Sequence, residues 1–240
     1  MSTEPSITVV LVHGAFADAS GWNGVIEKLQ TAGYKVIAPA NPLRGIHIDA
    51  AYLADFIKQI EGPLLLVGHS YGGATITNAA TGNENVVGLV YVAGFAPDLD
   101  EKLIEVEDGS KDSILNAALQ PYKYSLENGE MVDEFYIKSE LFHKTFAGDL
   151  TEELAAVMSA AQRPASVLAF SEANGEPAWK KLPSWAVVAT GDKAAGSDVV
   201  RSMAQRAGAK ITELEGSHVI MVSKPQEVTD VIMEAINSYA

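Results

Sequence analysis

The feature that most constrains the fold is a regular alternation between short β-branched runs and longer stretches with helical periodicity. Short, continuous apolar runs are typical of strands that are buried on both faces of a sheet. Six runs predict strands, at Ile7–Val12, Lys35–Ala38, Leu64–Val67, Val87–Ala93, Ala186–Ala189 and Lys210–Leu214. Because amphipathic helical patterns lie between them, the chain predicts an α/β fold, a doubly wound and mostly parallel six-stranded sheet with helices on both faces.

The composition supports a globular chain and excludes several functions. Of the 240 residues, 48% are hydrophobic and 20% are charged, a balance typical of folded rather than disordered proteins. Lys and Arg number 17 and Asp and Glu number 31, so the net charge is −14. This charge would repel phosphate backbones and anionic bilayers. We therefore expect neither a nucleic-acid partner nor a membrane partner.

The cysteine content and the N-terminal segment indicate the compartment. The chain has no cysteine, which rules out disulfides, thiolate nucleophiles and cysteine-bound metals. Met1–Pro5 lacks the features of a signal peptide, and the largely apolar stretch from Val86 to Pro97 is too short to span a bilayer. A cytoplasmic location is therefore expected. No motif has metal-ligand spacing such as His-Glu-x-x-His, so we expect no metal and no other cofactor.

One long segment interrupts the alternation. Between Pro97 and Pro183 we find no clear strand run, but four helical patterns, at Ser113–Leu119, Val132–Ser139, Thr151–Ala161 and Val167–Glu172. Ligands bind outside the carboxyl edge of open α/β sheets. We therefore predict that residues 98–182 form a helical cap, or lid, over that edge, and that residues 1–97 and 183–240 form the core.

The strongest chemical motif is Gly-His-Ser-Tyr-Gly at positions 68–72, with an apolar run before it and a helical stretch after it. In this context Gly-x-Ser-x-Gly is typical of a sharp strand-to-helix turn that exposes a serine hydroxyl at the sheet edge. Gly68 and Gly72 would relieve crowding in that turn. The motif predicts that Ser70 is a nucleophile and that the N–H of Tyr71, at the helix start, stabilises an oxyanion.

A serine hydroxyl needs a general base, and the base needs an acid that holds its tautomer. Of the five histidines, His218 follows the last predicted strand and so lies at the same edge as Ser70. Asp192 comes directly after the preceding strand and is the predicted acid. Asp198, which could instead cap a helix, and Asp98, which follows the strand before the insertion, remain alternatives.

The segment after the first strand supplies the remaining parts of the predicted site. A His13-Gly14 pair lets the backbone turn and present the N–H of Ala15 as a second oxyanion donor. Phe16 is then predicted to form a wall of the substrate pocket. The alternative is that His13-Gly14 only terminates the strand.

These motifs resemble the α/β-hydrolase superfamily along the whole chain, and within it the branch of plant methylesterases, hydroxynitrile lyases and related bacterial esterases. The residues that carry the resemblance are Val10–Ala15 with Gly21-Trp22, Gly68–Gly73, Thr190–Lys193 and Gly216–His218. In that branch the acid lies where Asp192 lies. The resemblance implies a cofactor-free serine esterase that acts on a small-molecule ester. A homodimer is one assembly that the sequence allows.

The predicted reaction is ester hydrolysis through an acyl-enzyme, in which Ser70 attacks, His218 accepts its proton and Asp192 orients His218. Three alternatives remain open. Hydroxynitrile lyases keep the triad, but the resemblance implies that they carry a larger polar residue where Gly14 stands and a lysine near the catalytic loops. A cofactor-free haloperoxidase activity would use the same triad. Some hormone receptors keep this fold and an intact triad yet turn over slowly.

Overall fold

The structure is a computed structural model that describes residues 7–239; the N-terminal segment considered above, residues 1–6, and residue 240 lie outside the described residues. Two sheets are present in this part of the chain. The strands are β1 (Thr8–Val12), β2 (Lys35–Ile37), β3 (Leu64–His69), β4 (Val86–Val92), β5 (Leu119–Ser125), β6 (Met131–Ile137), β7 (Ala165–Ser166), β8 (Ser184–Ala189) and β9 (Lys210–Leu214).

The larger sheet has six strands in the order β2-β1-β3-β4-β8-β9, and every pair in it is parallel. The residues of β1, β3 and β8 are all buried. Strands buried on both faces favour apolar side chains at nearly every position, which is why their sequences form almost continuous apolar runs. The predicted six-stranded α/β sheet is confirmed.

Helices cover the sheet in two groups. In one group α1 packs on α11, and α11 lies against β3, β4 and β8; in the other α2 packs on α3, and α3 lies against β1, β3 and β4. The helices are α1 (Asn23–Thr31), α2 (Ile46–Ile57), α3 (Tyr71–Ala79), α4 (Leu103–Asp108), α5 (Leu115–Ala118), α6 (Ser139–Phe146), α7 (Glu152–Ala161), α8 (Val167–Ser171), α9 (Ser197–Arg206), α10 (Ile220–Ser223) and α11 (Pro225–Tyr239). None of them, within the described residues, is long and apolar enough to cross a membrane.

The insertion between β4 and β8 is not purely helical, and this corrects the sequence prediction. Its helices α7 and α8 lie where helices were predicted. The predicted helix at Val132–Ser139 is instead the strand β6, and only the short α5 lies within the predicted helix at Ser113–Leu119. Strands β5, β6 and β7 form an antiparallel sheet in that order.

The hairpin of β5 and β6 has a local signal in the sequence, which the prediction of a helix overlooked. Asn128-Gly129 lies in the turn between β5 and β6, with Gly129 at φ +83°. Asn-Gly is a strong hairpin signal, because both residues tolerate positive φ. Apolar spacing around Val132 suits a helix as well as a strand, and cross-strand pairing with β5 and β7 decides between them.

Arg44, in the loop after β2, fastens the small sheet to the core. Its Nη1 lies 2.8 Å from the carboxylate of Glu134, and its Nη2 donates to the carbonyl of Pro164 over 2.7 Å. Its guanidinium also stacks over the ring of Tyr124, 4.6 Å from the ring centre. The insertion is therefore bound to the core through a polar anchor as well as through apolar packing. A separate lid role for residues 98–182 stays a prediction.

Candidate active site

Ser70 forms the turn between β3 and α3. Strand β3 ends at His69 and α3 begins at Tyr71, so Ser70 alone reverses the chain, with φ +54°. A Cβ on Gly68 would lie 2.4 Å from the carbonyl oxygen of Gly72, and a Cβ on Gly72 would lie 2.4 Å from that of Val12. Neither position has room for a side chain, so both glycines occupy the crowded positions that the motif predicts.

His218 and Asp192 meet at the carboxyl edge of the same sheet. The Nδ1 of His218 donates to Oδ2 of Asp192 over 2.7 Å, and each side chain is 1% exposed. The other carboxylate oxygen accepts the N–H groups of Ala194 and Ala195, over 2.8 and 3.0 Å. Three hydrogen-bond donors therefore offset the free-energy cost of burying the carboxylate. A proton held on Nδ1 leaves Nε2 with its lone pair, which is the tautomer that a general base needs.

The two alternative carboxylates have other partners. Asp198 lies in the first turn of α9 and accepts the hydroxyl of Ser110 over 2.7 Å and the N–H of Lys111 over 2.8 Å. Asp98 is half-exposed and pairs with Lys180 over 2.8 Å. Of the three candidates, Asp192 is the one that hydrogen-bonds to His218.

His69 connects the nucleophile turn to the histidine loop. It precedes Ser70 directly, and its Nε2 donates to the carbonyl oxygen of His218 over 3.0 Å. The two imidazole rings also pack together, with centres 4.7 Å apart, and the ring of Phe146 lies 5.0 Å from His218. The loops after β3 and β9 are thereby held side by side, and Ser70 is 7% exposed between them.

Two backbone donors lie next to Ser70 with no protein acceptor. A Cβ added to Gly14 would lie 3.2 Å from Oγ of Ser70, so the loop after β1 runs directly against the nucleophile. Within residues 7–239, the N–H groups of Ala15 and Tyr71 donate to no protein group, whereas the N–H of Phe16 donates to the carbonyl of Arg163 over 3.0 Å. Free N–H groups at this position are what an oxyanion would require.

Phe16 takes part in an aromatic cluster beside the histidine. It has φ +60°, is buried, and packs edge-on against Phe146 with ring centres 6.3 Å apart. A cavity of about 30 Å³ adjoins it, with Met158 and Met221 among its lining residues. This volume holds about one water molecule.

Two buried histidines outside the Asp192–His218 pair are kept neutral. Burial lowers the pKa of His13, whose ring bridges the carbonyl of Gly14 and the N–H of Asn41, each over 2.9 Å. Burial, helped by the neighbouring His218, lowers the pKa of His69 well below its ordinary value. Both rings hold loops of the site in place.

His69 makes the stability of the protein dependent on pH. Below the ordinary histidine pKa of about 6.5, the unfolded chain binds a proton at His69 that the folded chain does not bind. The free energy of unfolding therefore falls as the pH drops from 7 to 5. Urea denaturation of the wild type and of His69→Gln at pH 7, 6 and 5 should show a smaller loss in the variant. Exposed His47→Gln is the control, and equal losses in all three proteins would contradict the prediction.

Contacts from the insertion hold the loop of Asp192, and the sequence analysis missed them. The hydroxyl of Ser113 donates to the carbonyl of Ala194 over 2.6 Å. The N–H of Ile114 donates to the carbonyl of Lys193 over 2.9 Å. These residues are about 80 positions apart in the chain, so no local pattern signals the contact. In the described part of the chain, no three His, Asp or Glu side chains come together as metal ligands would.

A serine on the turn after a central parallel strand, with a buried Asp–His pair at the same edge, is the arrangement of the serine hydrolases that are built on an α/β sheet. The sequence profile of the alpha/beta hydrolase family matches residues 9–231. The chain belongs to this family, and the predicted superfamily is confirmed.

Similar proteins also support the predicted branch. Methylesterase 7 of Arabidopsis thaliana is 24% identical over 96% of each chain. Alpha-hydroxynitrile lyase of the same plant is 25% identical over 96% of this chain and 97% of the lyase. The crystal structure of polyneuridine aldehyde esterase superposes with a TM-score of 0.80 at 21% identity, over 96% of this chain and 99% of the esterase.

Proposed function

We propose that this chain is a cofactor-free serine hydrolase that cleaves carboxylic esters of small molecules. The observation that carries the proposal is the buried hydrogen bond of 2.7 Å between His218 and Asp192, beside the glycine-flanked turn of Ser70. The esterases among the similar proteins support the same activity. In this proposal Ser70, His218 and Asp192 form a catalytic triad.

The reaction proceeds through an acyl-enzyme. Oγ of Ser70 attacks the ester carbonyl while Nε2 of His218 takes its proton, and the N–H groups of Ala15 and Tyr71 bind the oxyanion. When the tetrahedral intermediate collapses, His218 returns the proton to the leaving alcohol. A water molecule, deprotonated by His218, then attacks the acyl group and releases the acid and free Ser70. Asp192 stays ionised throughout and stabilises the imidazolium.

Gly14 favours hydrolysis over cyanohydrin cleavage. The resemblance implies a larger polar residue at this position in hydroxynitrile lyases, where it would bind the substrate oxygen. In this chain a Cβ at Gly14 would lie 2.6 Å from Cβ of Ser70 and 2.8 Å from the carbonyl oxygen of His69. No side chain fits between the loop after β1 and the nucleophile. The oxyanion is therefore bound by backbone N–H groups alone.

A direct comparison of substrates tests the proposed function. The purified protein is assayed with p-nitrophenyl esters of increasing chain length, methyl esters of aromatic acids, and mandelonitrile. We expect ester hydrolysis with a burst of p-nitrophenol, since an acyl-enzyme accumulates when deacylation is slow. We expect negligible release of cyanide. Efficient cyanide release without ester turnover would favour the lyase, and binding of esters without turnover would favour the receptor.

Cellular location and assembly are the remaining parts of the proposal. We propose that the protein acts in the cytoplasm and that it can assemble as a homodimer. Cell fractionation and light scattering after size-exclusion chromatography measure these two properties.

A further inference from the structure

We propose that Asp149, in the loop between α6 and α7, is a positioning residue that holds the loop of His218 in its active geometry. The inference rests on the proposed function, because it assigns Asp149 to the base of that reaction. Asp149 belongs to the insertion, 69 residues before His218 in the chain. Its contacts with the histidine loop therefore exist only in the folded protein.

The carboxylate of Asp149 contacts the two residues before His218 in the chain. Oδ1 accepts a hydrogen bond from the hydroxyl of Ser217. A Cβ on Gly216 would lie 2.6 Å from Oδ2, so the carboxylate is also packed against the bare backbone of that residue.

Asp149 is charged at neutral pH. Partial burial would raise the pKa of its carboxyl, but hydrogen bonding, chiefly from the hydroxyl of Ser217, outweighs burial and lowers the pKa below its ordinary value. Hydrogen bonds to an ionised acceptor are roughly twice as strong as neutral ones. The carboxylate can therefore fix a loop that has no regular secondary structure between β9 and α10.

The other contacts of His218 described above act on its ring and on its carbonyl oxygen, whereas Asp149 binds the residue before it. Asp192 binds Nδ1, and His69 binds the carbonyl oxygen. The backbone that enters His218 from Gly216 and Ser217 is held by Asp149. Since catalytic groups must be held within about 0.5 Å of the productive geometry, release of this segment would misplace Nε2 relative to Ser70.

Kinetics of five variants, one of them a control, test the inference. Asp149→Ala and Ser217→Ala should each lower kcat for a p-nitrophenyl ester about tenfold, with KM changed less than about twofold. The double variant should lose no more than either single variant, because both remove the same contact. Asp149→Asn keeps an acceptor oxygen and should recover part of kcat. Glu127→Ala, an equal change of charge at the exposed hairpin turn of the insertion, should leave kcat unchanged.

A measurement independent of turnover separates this inference from the proposed function. The low-field proton NMR signal of the His218 Nδ1–H, assigned by its absence in His218→Gln, reports the hydrogen bond to Asp192. We expect it to broaden or shift in Asp149→Ala and Ser217→Ala, and to stay unchanged in Glu127→Ala. If the wild type hydrolyses no ester, the proposed function fails while this signal still tests the positioning role.

Two results would overturn the inference. One is an unchanged signal together with unchanged kcat in Ser217→Ala, a variant that removes one hydroxyl from the loop and keeps the rest of the chain. The other is full additivity of the kcat losses in the double variant, which would show that Asp149 and Ser217 act separately. Should Asp149→Ala fail to fold, Ser217→Ala and Asp149→Asn carry the same comparison.

Discussion

Replacing Ser70 by alanine is expected to lower kcat for ester hydrolysis by about 10⁴-fold or more, with no loss of folding. The substitution removes the one oxygen that attacks the ester. It leaves the turn intact, because alanine has the same Cβ as serine at φ +54°. The residual activity should come from the oxyanion donors, Ala15 and Tyr71, and from substrate binding. Steady-state kinetics and the melting temperature measure both effects.

Ser159→Ala is the matched control for this prediction. Ser159 is also buried, and within residues 7–239 its hydroxyl has no hydrogen-bond partner. Removing that oxygen should change neither kcat nor stability appreciably. A reactive fluorophosphonate should label the wild type and Ser159→Ala but not Ser70→Ala. Near-normal ester hydrolysis by Ser70→Ala would refute the proposed mechanism.

Replacing Asp192 by asparagine should also cost about 10⁴-fold in kcat, as loss of the acid does in serine proteases. The amide keeps the size of the side chain and can still accept the N–H groups of Ala194 and Ala195. Its NH₂ group would face Nδ1 of His218, and the imidazole would then carry its proton on Nε2. In that tautomer His218 cannot accept the proton of Ser70.

Asp198→Asn and Asp98→Asn are matched controls for the acid. Asp198 accepts hydrogen bonds from Ser110 and Lys111, and Asp98 forms an ion pair with Lys180. Neither change therefore alters the tautomer of His218. Both variants should keep near-normal kcat and lose at most about 1 kcal/mol of stability. Kinetics at saturating ester, with a melting curve for each variant, separate the three residues. If Asp192→Asn stayed active while one of the others lost activity, the acid would be assigned to the wrong strand end.

The central sheet could be predicted because its signal is local. Strands β1, β3 and β8 are buried on both faces, and such strands are apolar at most positions. The Gly68–Gly72 motif is a local pattern, and the crowding that excludes a Cβ at Gly68 arises within the same turn, whereas the crowding at Gly72 comes from Val12 of β1. The same reasoning placed Ser70, Asp192 and His218 at one sheet edge. Their catalytic roles stay predictions until the variants are measured.

The small sheet of the insertion could not be predicted in the same way. The segment at β6 has apolar residues at spacings that suit both a helix and a strand, and its pairing partners lie at 119–125 and 165–166. Pairing over such separations depends on tertiary packing rather than on intrinsic propensity. The Asn128-Gly129 turn was the local signal that pointed to a hairpin.

The sequence by itself determined the fold class, the nucleophile turn and the order of the candidate triad, because each of these depends on residues that are neighbours in the chain. Only the tertiary structure decided which carboxylate meets His218, which backbone donors stay free beside Ser70, and how Asp149 reaches Ser217. These contacts join loops that are far apart in sequence. Their distances are set by how the strands and the insertion pack, and no short stretch of sequence contains that information.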